Sequence, residues 1–253
     1  MVGVVLGLIG GGGSILTVPV LVYLFSLNPI VATGYSLFVV GTSALVGAIR
    51  NMKKKLVDFK TAFIFATPAF IAVFLTRRFI IPAIPENLYS FGHFILTKNI
   101  AIMVFFAIVM LAASITMITN KNPELEHGVK VSYNYPLIIL QGIFLGFVTG
   151  AVGAGGGFLI IPALVILAKL PMKKAVATSL LIIAINSLIG FTGDIATLNI
   201  DWTFLLLFTA ISIVGIFIGI RLNTFIDGKK LKKGFGWFVL LMGIYIIYKE
   251  FSY

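Results

Sequence analysis

The sequence predicts an all-α integral membrane protein built as two inverted repeats, each a glycine-broken re-entrant helical element plus three transmembrane helices. Three observations carry that prediction. First, 60% of the 253 residues are hydrophobic and only 11% are charged, with a mean hydropathy of +1.13, a composition far from that of soluble domains. Second, residues 1–49 and 131–168 contain no Asp, Glu, Lys or Arg. Each run exceeds the ~20 apolar residues of one spanning helix, so each must hold more than one element. Third, residues 3–47 align without a gap on residues 146–190 at an offset of 143, with 17 of 45 positions identical. The identities include Gly10/Gly153, Gly12/Gly155, Gly13/Gly156, Pro19/Pro162, Ala32/Ala175, Ser36/Ser179, Leu37/Leu180 and Gly47/Gly190. Shared hydrophobicity would match leucines and valines, but it would not put glycines, a proline and a serine in register. The chain reads as a duplication, divided into residues 1–122 and 123–253.

The first apolar run, 1–9, ends at Gly10-Gly11-Gly12-Gly13-Ser14, and residues 15–27 after it are too few to cross ~30 Å of hydrocarbon as a helix. A broken or re-entrant element is expected, because glycine lets the backbone turn sharply and take positive φ. Asn28-Pro29 then opens a helix over 29–49, since the residue before proline avoids the helical region while proline suits a first helical turn. Arg50, Lys53, Lys54, Lys55 and Lys60 form a basic loop, and the next helix, 61–76, is closed by Arg77 and Arg78. A connection with Pro82 and Pro85 leads to a 22-residue uncharged helix over 99–120, and residues 121–132 are the most polar linker.

The second half repeats this order. Residues 133–152 run into Gly153-Ala154-Gly155-Gly156-Gly157, followed by a short apolar segment, 158–168. Lys169, Lys173 and Lys174 precede a helix over 175–193, Asp194 and Asp201 flank a loop, and helices at 202–220 and 234–248 enclose a basic stretch, 221–233. Only nine residues precede the first cluster, which reads as a shortened first helix or a start at an internal methionine. No basic segment precedes the first apolar run, as it would in a cleaved signal peptide.

Charge orients the halves. The loop after 29–49 is basic, whereas its counterpart after 175–193 carries Asp194 and Asp201; uncharged Leu27-Asn28-Pro29 corresponds to the stretch with Lys169, Lys173 and Lys174. Equivalent loops with opposite bias imply an inverted second half. With basic loops cytoplasmic, all 19 Lys and Arg except Arg77, Arg78, Lys98 and Lys249 lie inside, and both termini lie outside. The net charge of +11 is thereby explained without nucleic acid. The absence of cysteine excludes disulfides and thiolate metal sites. His93 and His127 fall in connections and no helix carries an acidic pair, so no metal, cofactor or catalytic residue is expected.

Inverted repeats with short, glycine-interrupted helices in matching positions point to a transporter site near the membrane midplane. Non-helical backbone persists at that depth only when it is buried in protein or lines a cavity. Helices starting near Ser14 and Gly157 would aim N–H groups and positive dipole ends inward, which favours an anion. The candidate binding residues are therefore Gly10, Gly11, Gly12, Gly13 and Ser14 with Gly153, Gly155, Gly156 and Gly157. Residues 29–49 also offer Thr33, Ser36, Thr42 and Ser43, and residues 175–193 offer Thr178, Ser179, Asn186 and Ser187. Ser36/Ser179 and Ser43/Asn186 are equivalent pairs seven residues apart, on nearly one helix face, and are the chosen side chains. Close helix packing is the alternative for the glycines, and interhelical hydrogen bonding for the polar pairs. Asp194 reads as a solvated helix end rather than a proton relay or cation ligand, because charge at the bilayer centre is costly.

With both clusters, Pro19 and Pro162, and residues 32–37 and 175–180 downstream, the chain resembles the TauE/SafE sulfite exporter family over essentially its whole length. The resemblance implies a prokaryotic plasma-membrane permease, not an enzyme, for small sulfur-containing anions such as sulfite or organosulfonates. The combined reading is a secondary transporter, outward-directed, with alternating access around a site made by the paired glycine loops. Its partners are the anion, the bilayer, and a proton or a cation as coupling ion. A passive anion channel remains open as an alternative. So does a membrane-embedded lipid-phosphate enzyme, which would need catalytic acids or nucleophiles that both clusters lack.

Overall fold

The computed structural model describes residues 2–9, 14–91, 94–119, 135–166, 170–223 and 228–252. Gly10, Gly11, Gly12 and Gly13, both histidines, Lys169 and the 121–132 linker lie outside them. The described elements are α1 (Val2–Ile9), α2 (Ser14–Leu24), α3 (Pro29–Lys53), α4 (Phe59–Ala83), the strands β1 (Asn87–Phe91) and β2 (Phe94–Thr97), α5 (Lys98–Thr119), α6 (Tyr135–Val152), α7 (Gly157–Ile166), α8 (Met172–Asp194), α9 (Trp202–Asn223) and α10 (Gly228–Phe251). Among the described residues, α3, α4, α5, α8 and α9 contain stretches long and apolar enough to cross a membrane, and α2 and α6 are shorter apolar helices.

Local chemistry sets these bounds. The Asn28 carboxamide oxygen accepts from Ile30 N at 2.9 Å with Pro29 in the first turn of α3, an N-cap of the usual kind. Asp58 caps α4 through Thr61 N at 2.9 Å, and Asp201 receives Phe204 N at 3.0 Å at the start of α9. Helix α3 continues past residue 49 to Lys53 because Arg50 and Lys53 suit the negative end of a helix. Arg77 and Arg78 do not close α4. They lie in a π-helical turn, Thr76–Ile80, and the helix carries on to Ala83, with Pro82 lacking the N–H that would extend it regularly. The connection beyond is a small antiparallel hairpin, with Ser90 opposite Ile95 and Phe91 opposite Phe94, which the all-α expectation did not include.

Helices α3 and α8 form the centre. Their spans are 67% and 72% buried, whereas those of α4, α5 and α9 are 28–39% buried and show large apolar side chains outward, as lipid-facing helices do.

Around α3 and α8 the packing is reciprocal. Helix α1 packs on α9 as α6 packs on α4; α9 packs on α3 as α4 packs on α8; α2 lies on α3 as α7 lies on α8. The same exchange holds for single residues at the offset of 143. A Cβ on Gly3 would overlap the Ser212 carbonyl, and one on Gly146 would overlap the Ala69 carbonyl. A Cβ on Gly47 would lie 3.2 Å from Leu180 Cδ1, and one on Gly190 would lie 3.3 Å from Leu37 Cδ1. Leu27 N donates to Leu21 O at 3.1 Å, and Leu170 N to Leu164 O at 3.2 Å. These small residues let helix backbones touch, which is how membrane helices associate without a hydrophobic force between them.

Gly146→Val is expected to lower stability by about 1–3 kcal/mol by overpacking against α4. Gly234→Ala, inside α10 with open space around it, should instead raise stability by up to about 1 kcal/mol by removing the cost of glycine in a helix. Thermal unfolding of the purified variants in detergent checks the contrast.

Candidate functional site

The second glycine cluster forms the turn between α6 and α7. Gly153, Gly155 and Gly156 take φ of 70°, 66° and 68°, a region that L side chains rarely enter. Space forbids a side chain as well. A Cβ on Gly153 would overlap Thr33, one on Gly155 would lie 2.6 Å from Val40 Cγ1 and 3.2 Å from Ser187 Oγ, and one on Gly156 would overlap Thr149 Oγ1. The turn is thus wedged between α3, which supplies Thr33 and Val40, and α8, which supplies Ser187. The Gly156 carbonyl accepts from Leu159 N at 2.9 Å and Ile160 N at 3.0 Å, so α7 starts at Gly157 inside the protein. First-turn amides of a helix have no intrahelical acceptor and carry its positive end.

Buried polar atoms gather near this turn. Thr149 Oγ1 and Ser187 Oγ, both against the turn glycines, and Ser36 Oγ and Asn186 Oδ1, on the two central helices, have no hydrogen-bond partner among the described residues. Such a group costs about 1–3 kcal/mol when buried without a partner. Four of them on α3, α6 and α8 are chemistry suited to a polar guest.

The predicted residues divide accordingly. Gly153, Gly155, Gly156 and Gly157 make the turn and helix start, and Ser36 and Asn186 are buried with unpartnered oxygens. Ser14 is buried at the start of α2. Ser179 Oγ donates back to Val176 O at 2.9 Å, and Ser43 Oγ lies 3.1 Å from Ser212 Oγ on α9, so these two hydroxyls are used in and between helices. Thr149 was not among the sequence candidates, because its repeat counterpart is Leu6 and comparison of the halves passes over it.

One arrangement overturns two sequence expectations. Arg77 is wholly buried rather than in an outer loop, and Asp194 is 2% exposed rather than a solvated helix end. Arg77 Nε donates to Asp194 Oδ1 at 2.9 Å and Oδ2 at 2.8 Å, and Nη2 also reaches Oδ2. Nη1 donates to Thr33 Oγ1 at 3.0 Å and to Gly150 O at 3.3 Å. Burial of these charges is possible because they are paired and hydrogen-bonded. The sequence signal was available: apolar residues resume immediately after Arg78, from Phe79 to Ile84, so the arginines sit inside a run and not at its end. Thr33 joins the two features, since it touches both Arg77 and Gly153.

The family model described as sulfite exporter TauE/SafE matches residues 1–246. A probable membrane transporter protein of Xylella fastidiosa (strain Temecula1 / ATCC 700964) is 31% identical, covering 100% of this chain and 93% of its own length. Probable membrane transporter protein YunE of Bacillus subtilis (strain 168) is 28% identical over 98% of this chain and 94% of its own. Probable membrane transporter protein MJ0441 of Methanocaldococcus jannaschii is 29% identical over 98% and 92%. No solved structure matches the chain.

Asp194→Ala leaves a guanidinium buried and unpaired, and an expected loss of about 3–5 kcal/mol follows. The double variant Arg77→Met/Asp194→Leu should recover most of it. Unfolding of both in detergent is the measurement; a double variant no more stable than the single one would show that shape, not charge, is what the pair supplies.

Proposed function

The chain belongs to the TauE/SafE sulfite exporter family, a family of membrane transporters, and from that premise we propose that it is a secondary transporter exporting small sulfur-containing anions, such as sulfite or an organosulfonate. The observation that carries the reading is the glycine turn at 153–156, pressed between α3 and α8 beside buried, unpartnered hydroxyls. A sulfur oxyanion offers several acceptor oxygens around a compact centre. The amides opening α7 and the hydroxyls of Thr149, Ser187 and Ser36 are donors that replace its hydration shell, while the helix start supplies positive potential. Asn186 adds an amide that donates as well as accepts.

In this reading the two halves, 1–122 and 123–253, are inverted repeats with three crossings each, and α2 and α7 are re-entrant half-helices. Gly10, Gly11, Gly12 and Gly13 with Ser14 supply the matching half of the site, and Ser43 and Ser179 stand in its wall. The reciprocal packing at the offset of 143 supports a common plan for the halves, and equivalent loops of opposite charge support the inversion. Alternating access is then the rocking of one set of helices against the other about the α3–α8 contact. The basic loops face the cytoplasm of a prokaryotic cell, with the chain in its plasma membrane.

Purified protein in liposomes is expected to move labelled sulfite or a sulfonate uphill when a proton or cation gradient is imposed. Absence of flux for every sulfur oxyanion, under either direction of gradient, would overturn the substrate class. Purely downhill flux with unitary conductance steps would make the protein an anion channel instead. Gly155→Val should reduce flux by about tenfold or more with membrane insertion retained, and Ser187→Ala by about tenfold to a hundredfold, the value of one hydrogen bond to a charged group. Normal flux in both would leave the glycine turn a packing device only.

A further inference from the structure

The Arg77–Asp194 pair lies at one end of the reciprocally packed helices and has no counterpart at the equivalent positions. At the offset of 143, Asp194 corresponds to Asn51, Arg77 to Ile220, Thr33 to Val176 and Gly34 to Ala177. The adjoining contacts are kept nonetheless: Gly150 meets Thr76 as Gly7 meets Gly219. The four changes converge on one spot. A Cβ on Gly34 would lie 2.9 Å from Asp194 Oδ2 and 3.0 Å from Arg77 Nη2, so glycine there makes the space that the pair fills. Thr33 supplies the hydroxyl that Nη1 uses. The equivalent positions at the other end are all neutral. A buried ion pair gives little stability over well-packed apolar residues of the same volume, so packing does not account for the pair.

Its chemistry is that of an anion site with a side chain already in it. The guanidinium fork fits two oxygens of a carboxylate, and equally two oxygens of another oxyanion. Asp194 is the last residue of α8 and is followed by exposed Ile195, Ala196 and Thr197, so its carboxylate has a short way to water. Through Thr33 the fork adjoins the glycine turn. We propose that Asp194 holds the place of the transported oxyanion at Arg77. The anion takes the guanidinium as the Asp194 carboxylate takes one proton from the aqueous side. The proposal rests on the transport reading and names its cationic residue and its coupling ion.

The exchange balances. Arg77 and Asp194 as an ion pair, one oxyanion and one proton become an Arg77–oxyanion pair and a neutral Asp194 acid. The buried net charge is zero before and after, as a low-dielectric interior requires. The ionisable groups around Asp194 are few. Arg77 and the exposed Arg78 come from α4, Tyr35 from α3, and Asp201 from the loop after α8, its N–H donating to Tyr35 Oη at 2.6 Å. The last turns of α6 and all of α7 bring none.

The test is equilibrium binding of radiolabelled methanesulfonate, whose own charge is constant between about pH 8 and about pH 5, a range in which a carboxylate can be made to titrate. Wild-type affinity should rise as pH falls, because binding takes up a proton. Asp194→Asn should bind about threefold or more tightly at neutral pH, with the pH dependence gone, because the competing internal anion is removed. The sulfonate should also raise its unfolding temperature more than it raises that of wild type. Arg77→Gln should bind about tenfold or more weakly. Should Arg77→Gln fold poorly, Arg77→Met/Asp194→Leu, apolar like Ile220, should stay monodisperse and bind equally weakly. Weaker binding by Asp194→Asn with the pH dependence intact, or wild-type affinity in the double variant, would make the pair a structural strap and overturn the assignment alone. Wild type that neither binds nor moves any sulfur oxyanion would overturn the transport reading and this assignment with it.

Discussion

The contact between α3 and α8 is the constraint on which the rest of the structure depends. In hydrocarbon no hydrophobic force draws helices together, so close approach must come from small residues. A Cβ on Gly41 would lie 2.9 Å from Leu188 Cγ, and Gly47 and Gly190 receive Leu180 and Leu37 in turn. The two helices are thus held by knobs of each seated on glycines of the other. With that spacing fixed, the turn at 153–156 has a slot whose walls are Thr33 and Val40 on one side and Ser187 on the other. The outer helices then need only cover the central pair with apolar side chains, and their exposed phenylalanines, leucines and isoleucines face lipid.

The same absence of water decides where polarity survives. A polar atom within the spans must find a partner or carry its desolvation cost, and most hydroxyls here do find one. Thr67, Thr76, Ser114, Ser179 and Thr209 all donate to carbonyls three or four residues back in their own helices. Against that background the unpartnered oxygens of Ser36, Thr149, Asn186 and Ser187 are informative. They lie on α3, α6 and α8, the elements that grip the glycine turn. The fully bonded Arg77–Asp194 pair adjoins the turn through Thr33, so bonded and unpartnered polar groups meet there, while further atoms without a partner among the described residues occur at Thr17, Thr61, Asn99 and Gln141.

Much of this was legible in the sequence. Asn28-Pro29 announced the start of α3, Gly157 the start of α7, and the uncharged 22-residue stretch announced α5, because caps, breakers and hydropathy are local properties. The duplicated glycines and prolines also announced that the halves share a plan. What escaped was pairwise and distant. Arg77 and Asp194 are 117 positions apart, and hydropathy treats each as the edge of a segment; only their meeting makes burial affordable. Thr149 escaped because comparison of the halves favours residues they share, and the second half differs from the first there. The hairpin at 87–97 escaped because a short polar and aromatic connection carries no helical period to exclude or reveal it.

The residues that the halves share and those they do not share therefore answer different questions. Shared positions such as Gly3/Gly146, Gly47/Gly190 and Leu37/Leu180 make reciprocal contacts and build the scaffold. In the inverted arrangement proposed here, a scaffold of that kind has two related states of similar energy, reached by exchanging the roles of the halves. Symmetry alone would leave those states equally populated in the absence of a gradient. Unshared positions must supply the bias, and the unshared polar positions described here converge on the turn at 153–156 and on the ion pair beside it. A ligand shifts a two-state equilibrium only by its differential affinity for the states. An anion that competes with Asp194 for Arg77 has such a difference built in, because it gains most in the state where the carboxylate can leave. In the transport reading proposed above, the four substituted positions bias the populations of the two states, and the gradients of anion and proton set the direction of net flux.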